Sequence, residues 1–476
     1  MWKQSSAASN REVTAEGAHR MTAIAIIGAG FSGTLLALHL LRRTPASVRV
    51  VLIERHNRFA QGPAYATGNP SHLLNVPAGR MSAFHDRPSD FLEWLARQPD
   101  AASDVGPASF VPRRQFGVYI RQLLHEELKR PGAADRLELV RGDVAAVEAE
   151  PHGPLSLCIG AERRIAADLA VLAIGNFPPE PPVIADPAFF DTPFYQPDPW
   201  AGDTLNSLDP DAPVLLIGTG LTMVDTVISL EDAGHRGPIH ALSRRGLTPR
   251  CHAAGAIAPR RPGAAIPDRL TDSLRMLRAE ARRAQREGSS WQAVLDELRP
   301  FGRDLWQALP PQDRSRFLRH LRPWWDVHRH RLAPAVSQRI EAARARGQLM
   351  IHAGRIESIT AGSERATLVY RPRGADERRT LDIARVVNCA GPACDFDRIP
   401  HPLVRRLLKD GFVRPDPHRL GLDVTPSGAL KDRSGAISRQ LFAVGPVTRG
   451  AFWEMTAVPD IRRQCELLAA QLAMLA

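Results

Sequence analysis

The chain has 476 residues, which is too long for one ordinary domain and favours about two or three. Hydrophobic residues make up 44% of it, enough for complete cores, so wholesale disorder is excluded. The 62 Lys and Arg residues against 51 Asp and Glu give a formal net charge of +11. Because the arginines are spread along the chain among acids, we favour a solvated Arg-rich surface with pockets for anions over nucleic-acid binding.

The cysteines and the N-terminal segment bear on the cellular compartment. Five cysteines occur, and no two have the C-x-x-C spacing of a dithiol redox centre or a zinc ribbon: Cys158, Cys251, Cys389, Cys394 and Cys465. This pattern favours a reducing compartment. No run of eighteen apolar residues exists, and residues 1–20 lack the apolar core of a secretory signal. We expect a cytoplasmic protein in which residues 1–20 are a disordered extension, with Met21 as an alternative start.

A β-α-β pattern opens the folded part of the chain. A short apolar run from Ala23 leads into a glycine motif, a helical segment and a second strand that ends on Glu54. The residues of the motif are Gly28, Ala29, Gly30, Phe31, Ser32 and Gly33. Gly28 allows a tight turn, Gly30 lets the backbone approach a pyrophosphate, and Gly33 permits close packing of helix on strand. The free N–H groups of Phe31 and Ser32 at the helix start face the phosphates, and Glu54 accepts hydrogen bonds from ribose.

A second unit of the same kind begins at Pro213. Its strand runs into Gly218 and Gly220, but Met223 replaces the third glycine, so we expect its helix to sit slightly farther from the strand. The following strand ends on three polar residues, Ser243, Arg244 and Arg245. Guanidinium groups bind a 2′-phosphate where an acid would repel it, so we prefer NADPH to NADH here. The alternative is that these are ordinary surface arginines. Because two-dinucleotide flavoproteins usually carry FAD at their N-terminal site, we assign FAD to the first unit.

Two further segments carry a resemblance to a known superfamily. The segment 168–181 is a strand ending at Gly175 and followed by prolines; it resembles the strand that leaves the FAD domain in flavin-containing and N-hydroxylating monooxygenases. Residues 386–392 look like the matching return to the FAD domain. Residues 441–446 read as the last strand of that domain, but they end in Gly445-Pro446 where Gly-Asp is usual.

Segments around residues 64–65, 73–81 and 448–462 resemble a bacterial FAD/NAD(P)-binding oxidoreductase family that is largely uncharacterised and related to those monooxygenases. The resemblance covers nearly the whole chain from Met21. It adds to the candidate FAD contacts Asn75, Met81, Gly175, Gly445 and Thr456. Family members with an assigned activity include aspartate N-oxygenases, so the resemblance implies N-oxygenation. The F-x-G-x-x-x-H motif of flavin-containing monooxygenases proper is absent, and residues 190–195 stand in its place.

Helical spacing replaces strand patterns between residues 262 and 346, which predicts a helical insertion that covers the flavin. Within it, the segment 322–331 combines two tryptophans, two histidines and several arginines. It is either an anion-binding surface in which Arg grips a carboxylate, or a helix anchored by its tryptophans. His328 and Glu454 are weak candidates for proton transfer. We expect no metal site, because His328 and His330 point apart on a helix and no acid or cysteine completes a set.

The sequence thus predicts an α/β chain with two Rossmann-like dinucleotide-binding domains, one for FAD and one for NADP. The second is inserted in the first: residues 21–180 and 386–476 form the FAD-binding domain, and residues 210–385 the NAD(P)-binding domain. NADPH would reduce FAD, and a flavin hydroperoxide would oxygenate a small nucleophilic amine or amino acid with O2. An NAD(P)H reductase or dehydrogenase that avoids O2 and a non-catalytic redox sensor are the alternatives.

Overall fold

The computed structural model describes residues 21–56, 58–99, 105–150, 153–160, 162–201, 204–205, 207–253, 267 and 269–476. The extension predicted for residues 1–20 and the first residues of the helical insertion, 262–266, lie outside these residues.

Sixteen strands are present among the described residues, and they form three sheets. They are β1 Thr22–Ile27, β2 Val48–Glu54, β3 Leu137–Arg141, β4 Val144–Ala149, β5 Leu155–Ile159, β6 Arg163–Ala167, β7 Leu169–Leu172, β8 Tyr195–Gln196, β9 Val214–Ile217, β10 Ile239–Ser243, β11 Leu349–Ala361, β12 Ala366–Pro372, β13 Arg379–Ile383, β14 Arg385–Asn388, β15 Ala429–Lys431 and β16 Ile437–Ala443.

Fourteen α-helices connect and cover the sheets in the same part of the chain. They are α1 Phe31–Arg43, α2 Asp90–Ala96, α3 Arg113–Leu128, α4 Ala133–Arg136, α5 Leu221–Asp232, α6 Leu270–Arg286, α7 Trp291–Leu298, α8 Gly302–Ala308, α9 Pro311–Arg316, α10 Arg322–Arg329, α11 Pro334–Ala345, α12 Pro402–Asp410, α13 Arg449–Phe452 and α14 Val458–Leu475.

The first sheet has the strand order β15-β16-β7-β1-β2-β3 and is parallel except for β15. Its central strands are almost wholly buried; β1 and β7 are apolar along nearly their whole length, as expected for a parallel sheet covered on both faces. Helices α1 and α14 pack against one another over this sheet. A three-stranded antiparallel sheet, β4-β5-β6, carries the chain from β3 back to β7.

The second sheet has the order β13-β12-β11-β10-β9-β14-β8. Strands β11, β10, β9, β14 and β8 are parallel, whereas β12 and β13 extend the sheet as antiparallel neighbours. The long strand β11 joins the two parts, because its first half pairs with β10 and its second half, Gly354–Ala361, pairs with β12. Helices α5 and α11 pack on one face of the parallel part.

The two sheets are interleaved in the chain. The first sheet is interrupted after β7, the whole second sheet follows, and β15 and β16 then complete the first sheet. The outgoing and returning connections run side by side, since Phe177 and Ala393 form an antiparallel bridge. The predicted fold class, two Rossmann-like units with one inserted in the other, is confirmed. The residue boundaries assigned to the domains stay a prediction.

The described part of the predicted insertion, residues 262–346, contains helices α6 to α11. We call α6 to α10 the cap, whereas α11 packs with α5 on the second sheet. The apolar residues at helical spacing in α6 form its less exposed side: Ala284 is buried, and four others are half-buried, Leu270, Leu274, Leu277 and Ala281. The cap does not stop at the second sheet. It packs against the residues around α13 through a cluster centred on Trp306 and Trp453.

Candidate functional site

The glycine loop between β1 and α1 presents backbone without side chains, so a ligand can approach it closely. Gly28 has φ +107°, and a Cβ there would lie 2.4 Å from the carbonyl oxygen of Ala173 at the end of β7. At Gly33 a Cβ would lie 1.9 Å from the Gly28 carbonyl oxygen, so helix α1 approaches the turn as closely as backbone allows. A Cβ at Gly30 would instead lie 3.6 Å from the Cα of Gly62, which is ordinary contact. Backbone without side chains on both sides of the loop fits a pyrophosphate.

The acid at the end of β2 lies against this loop, as the sequence predicts. Glu54 Oε2 accepts a hydrogen bond from the Ala29 N–H at 3.0 Å, and Oε1 accepts one from the His56 N–H at 3.0 Å. Phe31 and Ser32, the first residues of α1, are buried. Gly30 is the N-cap of α1 and no side chain caps this helix, so its first N–H groups are available to phosphate oxygens.

The loop between β9 and α5 repeats this geometry. Gly218 has φ +109°, and a Cβ there would lie 2.5 Å from the carbonyl oxygen of Cys389 at the end of β14. Its N–H donates to the Leu242 carbonyl at 2.7 Å, just as the Gly28 N–H donates to Ile53 at 2.9 Å. Gly220 caps α5 and has open space on its Cα. The second phosphate loop therefore keeps its form although Met223, which is fully buried, replaces the third glycine.

Of the three polar residues at the end of β10, one shapes the loop and two form no ion pair with any described residue. The Ser243 hydroxyl lies 2.9 Å from the Thr219 hydroxyl and accepts a hydrogen bond from the Gly246 N–H at 3.0 Å. Arg244 is exposed and Arg245 half-buried, and neither forms an ion pair with any described residue. At the edge of the second loop, these two guanidinium groups thus have no carboxylate partner among the described residues, and such groups suit a 2′-phosphate.

The remaining predicted FAD contacts lie along the carboxyl edge of the first sheet. Gly175 follows β7 with φ +69° and open space beside it, and Gly445 follows β16. The Gly445 N–H donates to Gln464 Oε1 at 2.8 Å, which ties this turn to α14. Ligands of open parallel sheets bind at this edge. Thr456 is exposed, just before α14.

The segment 73–81 lies between the first and second sheets. The Asn75 carbonyl oxygen lies 3.0 Å from His252 Nε2, and Met81 is buried in the core of the first sheet. The structure therefore brings Asn75 to the interface of the two nucleotide-binding units, whereas the Met81 side chain belongs to the core.

A buried polar cluster that sequence reasoning missed joins the two units. Arg113 on α3 pairs with Asp225 on α5 at 2.7 Å, with little of either side chain exposed. His72 Nε2 lies 3.0 Å from the Asp225 carbonyl oxygen and 2.9 Å from the Ser229 hydroxyl. Burial raises the pKa of Asp225, although Arg113 and His72 oppose this. The signal for this cluster in the sequence was Asp225, an acidic residue within the otherwise apolar run of α5.

The cap is attached to the segment after α13 by buried ion pairs. Glu454 accepts hydrogen bonds from Arg329 Nε at 2.9 Å and from Trp325 Nε1 at 3.0 Å, and Arg299 pairs with Asp460 at 3.0 Å. Burial raises the pKa of Glu454, but Arg329, His330 and Arg299 outweigh it and the net direction is downward. Glu454 is therefore held as a carboxylate, which favours an anchoring role over proton transfer.

The two candidate proton-transfer residues are not brought together. The His328 ring packs edge-on against Trp291 at 5.0 Å, and its Nδ1 lies 2.7 Å from the Trp324 carbonyl oxygen. The neighbouring His330 is the one that lies near Glu454, and burial lowers its pKa to about 4. The assignment of His328 and Glu454 to catalysis stays a prediction.

All three arginines of the predicted anion-binding segment 322–331 are paired with acids. Arg331 binds Asp296, Arg329 binds Glu454, and Arg322 Nε lies 3.5 Å from Asp326 Oδ2. Trp324 is 42% exposed, so only one of the two tryptophans anchors the helix. Arg449, on α13 at the other side of the cluster, has a buried Nε that donates to no described residue.

Within the described ranges, no group of three or more His, Cys, Asp and Glu residues is arranged to hold a metal ion. Over the same ranges, none of the helices combines the length and the apolar character needed to cross a membrane.

Two phosphate loops on interleaved parallel sheets define a two-dinucleotide fold, and comparison with known proteins agrees. Residues 25–177 match the profile of a family described as FAD-NAD(P)-binding, which confirms the predicted cofactor class. An uncharacterized protein of Mycobacterium tuberculosis is 23% identical, over 94% of this chain and 95% of its own length.

Solved structures share the fold across nearly the whole chain. The Kutzneria ornithine N-hydroxylase, solved with reduced FAD, NADP+ and L-ornithine, has a TM-score of 0.66 at 14% identity, covering 96% of this chain and 99% of its own. Thioredoxin reductase of Lactococcus lactis has a TM-score of 0.53 at 11% identity, covering 96% of this chain and 100% of its own. The chain therefore has the two-domain architecture that FAD-dependent monooxygenases and reductases share.

Proposed function

We propose that the chain is an FAD-dependent, NADPH-using monooxygenase that oxygenates a small nucleophilic substrate such as an amine or amino acid. The observation that carries the proposal is the pair of matching phosphate loops at Gly28 and Gly218 on interleaved sheets. One loop is followed by an acid and the other by two arginines that form no ion pair with any described residue, so the loops suit different nucleotides. Two nucleotides held on facing units are what hydride transfer from a nicotinamide to a flavin requires.

The cysteines favour oxygenation over disulfide reduction. All five are free thiols, and Cys389 and Cys465 are buried. Burial raises the pKa of the Cys389 thiol to about 12, and burial likewise raises the pKa of the Cys465 thiol. A buried thiol with a raised pKa is inert as a nucleophile. The N-hydroxylase also shares the fold more closely than the thioredoxin reductase does, with TM-scores of 0.66 and 0.53.

The residues of the chain would act by binding, orientation and exclusion of water. The loop Gly28–Gly33 would hold the FAD pyrophosphate and Glu54 its ribose, while Arg244 and Arg245 would bind the 2′-phosphate of NADPH. Bound FAD supplies the redox chemistry, passing electrons from the nicotinamide to O2 for oxygen transfer. The cap, fastened at Glu454, would cover the carboxyl edge of the first sheet and keep water from it.

The purified protein tests the proposal. We expect a yellow protein that contains FAD, oxidises NADPH faster than NADH, and consumes O2 together with an amine or amino acid. Oxidation of NADPH with an artificial acceptor, but without substrate-linked O2 uptake, would instead assign the reductase. Nucleotide binding without turnover would favour the non-catalytic redox sensor as the function. A colourless protein that cannot be reconstituted with FAD would refute the central assignment.

Changing Arg244 and Arg245 to Ala tests the nicotinamide site. Each guanidinium–phosphate bond contributes about 1–1.4 kcal/mol when partly exposed to solvent, so we expect the preference for NADPH to fall about tenfold per residue. Arg344→Ala is the matched control, because Arg344 is an exposed arginine on α11 of the same unit. An unchanged ratio of kcat/KM for NADPH and NADH would remove the assignment of these two arginines.

A further inference from the structure

A two-pronged ion pair joins the two nucleotide-binding units. Arg113, the first residue of α3 in the unit of the first sheet, places its two terminal nitrogens 2.7 Å and 3.2 Å from the carboxylate oxygens of Asp225 on α5. The Nε of Arg113 donates to the Leu73 carbonyl oxygen at 3.0 Å, so all three guanidinium nitrogens have an acceptor. At most 13% of either side chain is exposed. A paired contact of this kind fixes direction as well as distance, which a single hydrogen bond does not.

Further contacts with the first unit follow on the same face of α5. The polar residues Asp225, Ser229 and Asp232 are spaced i, i+4 and i+7, so they lie along one side of the helix. The Ser229 hydroxyl lies 2.9 Å from His72 Nε2, and Asp232 Oδ2 accepts a hydrogen bond from Asn69 Nδ2 at 2.9 Å. The first unit therefore holds α5 along three successive turns.

The ion pair stands close to both phosphate loops. On one side, Phe116 follows Arg113 by about one turn of α3, and its ring packs against Phe31 of the first loop with the centroids 5.6 Å apart. On the other side, Asp225 lies about 7.5 Å along the axis of α5 from Gly220, which caps this helix at the second loop. The pair thus connects the two loops through two short pieces of helix.

Stability alone does not account for charges in this place. Taking two ions out of water is costly, and apolar residues of the same size often stabilise a fold as well or better. A buried pair can instead specify one arrangement of the elements it joins. Trp200 helps to cover the pair, since its ring centroid lies 5.8 Å from the Arg113 guanidinium and 6.0 Å from the centroid of the His72 ring.

We propose that Arg113 and Asp225 are positioning residues for hydride transfer from NADPH to FAD. The pair would hold α5 against α3 and so set the distance and angle between the two bound rings. A hydride, which is two electrons with one proton, leaves NADPH as NADP+ and converts FAD to FADH−, so no other reactant is needed. The inference rests on the proposed function. Reacting atoms must lie about 3–3.5 Å apart, and a displacement of about 1 Å can lower the rate about 100-fold.

The apoprotein tests the contact without either nucleotide. In Asp225→Asn the Arg113 guanidinium faces an amide NH2 group where it had a carboxylate oxygen, so the two-pronged contact is lost. Peptides that cover residues 67–73 and α5 lie on opposite sides of this contact. In hydrogen–deuterium exchange both should exchange about fivefold faster, or more, than in the wild-type protein.

Glu127→Gln is the matched control. Glu127 is 3% exposed and pairs with Arg42 at 2.7 Å, at the far end of α3 and inside one unit. This variant also leaves an arginine without its carboxylate, so it should lower the temperature of unfolding. Exchange in residues 67–73 and in α5 should stay unchanged, because the contact between the units is intact.

Reduction of the FAD-loaded protein by NADPH, followed by stopped flow without O2, tests the consequence. Asp225→Asn should lower the limiting rate of flavin reduction by about 10- to 100-fold, while the Kd for NADPH changes less than about twofold. Arg113→Lys keeps the charge but not the two-pronged contact, so it should recover thermal stability more than rate. Glu127→Gln should reduce flavin at the wild-type rate. If Asp225→Asn does not fold, Arg113→Lys decides by the same comparison of rate and Kd.

Three results would overturn the assignment. The first is a wild-type limiting rate in Asp225→Asn, and the second is an equal loss of rate in Glu127→Gln, which would make the effect one of general stability. The third is a change confined to the Kd, which would make Asp225 an NADPH-binding residue. Fast flavin reduction without substrate-linked O2 uptake would refute the proposed oxygenation and leave the positioning role intact, so the two failures are distinguishable. A wild-type flavin that NADPH does not reduce would refute both.

Discussion

Removal of the Glu454 charge should loosen the cap from the segment around α13. Glu454 accepts hydrogen bonds from Arg329 and Trp325, and less than a tenth of the Glu454 and Arg329 side chains is exposed. Glu454→Gln keeps the shape of the side chain but leaves the Arg329 guanidinium buried without a counter-ion. Breaking a buried pair in this way costs about 3–5 kcal/mol, most of it from the charge that is left behind.

The second variant separates the ion pair from the hydrogen bonds. Arg329→Met alone leaves the Glu454 carboxylate unpaired, whereas the double variant removes both charges. If the pair acts as we describe, the double variant should cost about 2 kcal/mol less than the sum of the single variants. The Trp325 N–H keeps an acceptor in the side-chain amide oxygen that Glu454→Gln introduces, so the difference reports the ion pair itself.

Hydrogen–deuterium exchange with mass spectrometry is the suitable assay, because a chain with several units does not unfold in one step. Peptides that cover α10 and α13 should exchange faster in both single variants and recover in the double variant. Asp211→Asn removes the exposed pair with Arg236 and should leave these peptides unchanged. Strictly additive effects, or unchanged exchange in Glu454→Gln, would refute the proposed fastening of the cap.

Two further predictions concern the nucleotide loop and acid stability. Gly33→Ala should abolish FAD binding and destabilise the apoprotein, because its Cβ would overlap the Gly28 carbonyl. Gly30→Ala should weaken FAD binding without destabilising the apoprotein, and the control Gly106→Ala should do neither. FAD content and thermal unfolding measure the two effects. Stability should fall as the pH drops from 6.5 towards 4, because burial lowers the pKa of four histidines to about 4 while the unfolded chain protonates them near 6.5. Urea midpoints that stay constant over this pH range would contradict this prediction. The four are His39, His240, His252 and His330.

The nucleotide loops could be predicted from the sequence because their determinants are local. A strand, spaced glycines and a helix start lie within a few residues of one another, and the positive φ of Gly28 and Gly218 follows from the turn itself. The interleaving of the two sheets could also be predicted, because the connections at Phe177 and Ala393 resemble known linkers. The resemblance and the local pattern therefore led to the same architecture.

The contacts between the cap and the first sheet could not be predicted in the same way. Arg449 and Asp326 belong to segments that meet only when the cap packs on the first sheet. Neither segment contains a pattern that indicates a contact with the other. Composition directed attention to the arginines of residues 322–331, yet all three are paired with acids: Arg322 with Asp326 of the same segment, Arg329 with Glu454 and Arg331 with Asp296. Which arginine remains unpaired depends on the whole set of long-range contacts, and local spacing carries no information about it.

The order of the strands has a consequence for the way the protein is made. Strand β7 ends at Leu172, but its neighbour in the first sheet, β16, begins only at Ile437, and the complete second sheet lies between them. During synthesis the nicotinamide unit therefore leaves the ribosome whole while one side of β7 is still uncovered. Contacts between distant segments form slowly, and an uncovered apolar strand invites wrong pairing. At the proposed site, FAD would lie at the junction of the early and late segments, so its binding would complete the fold only after β16 has been made.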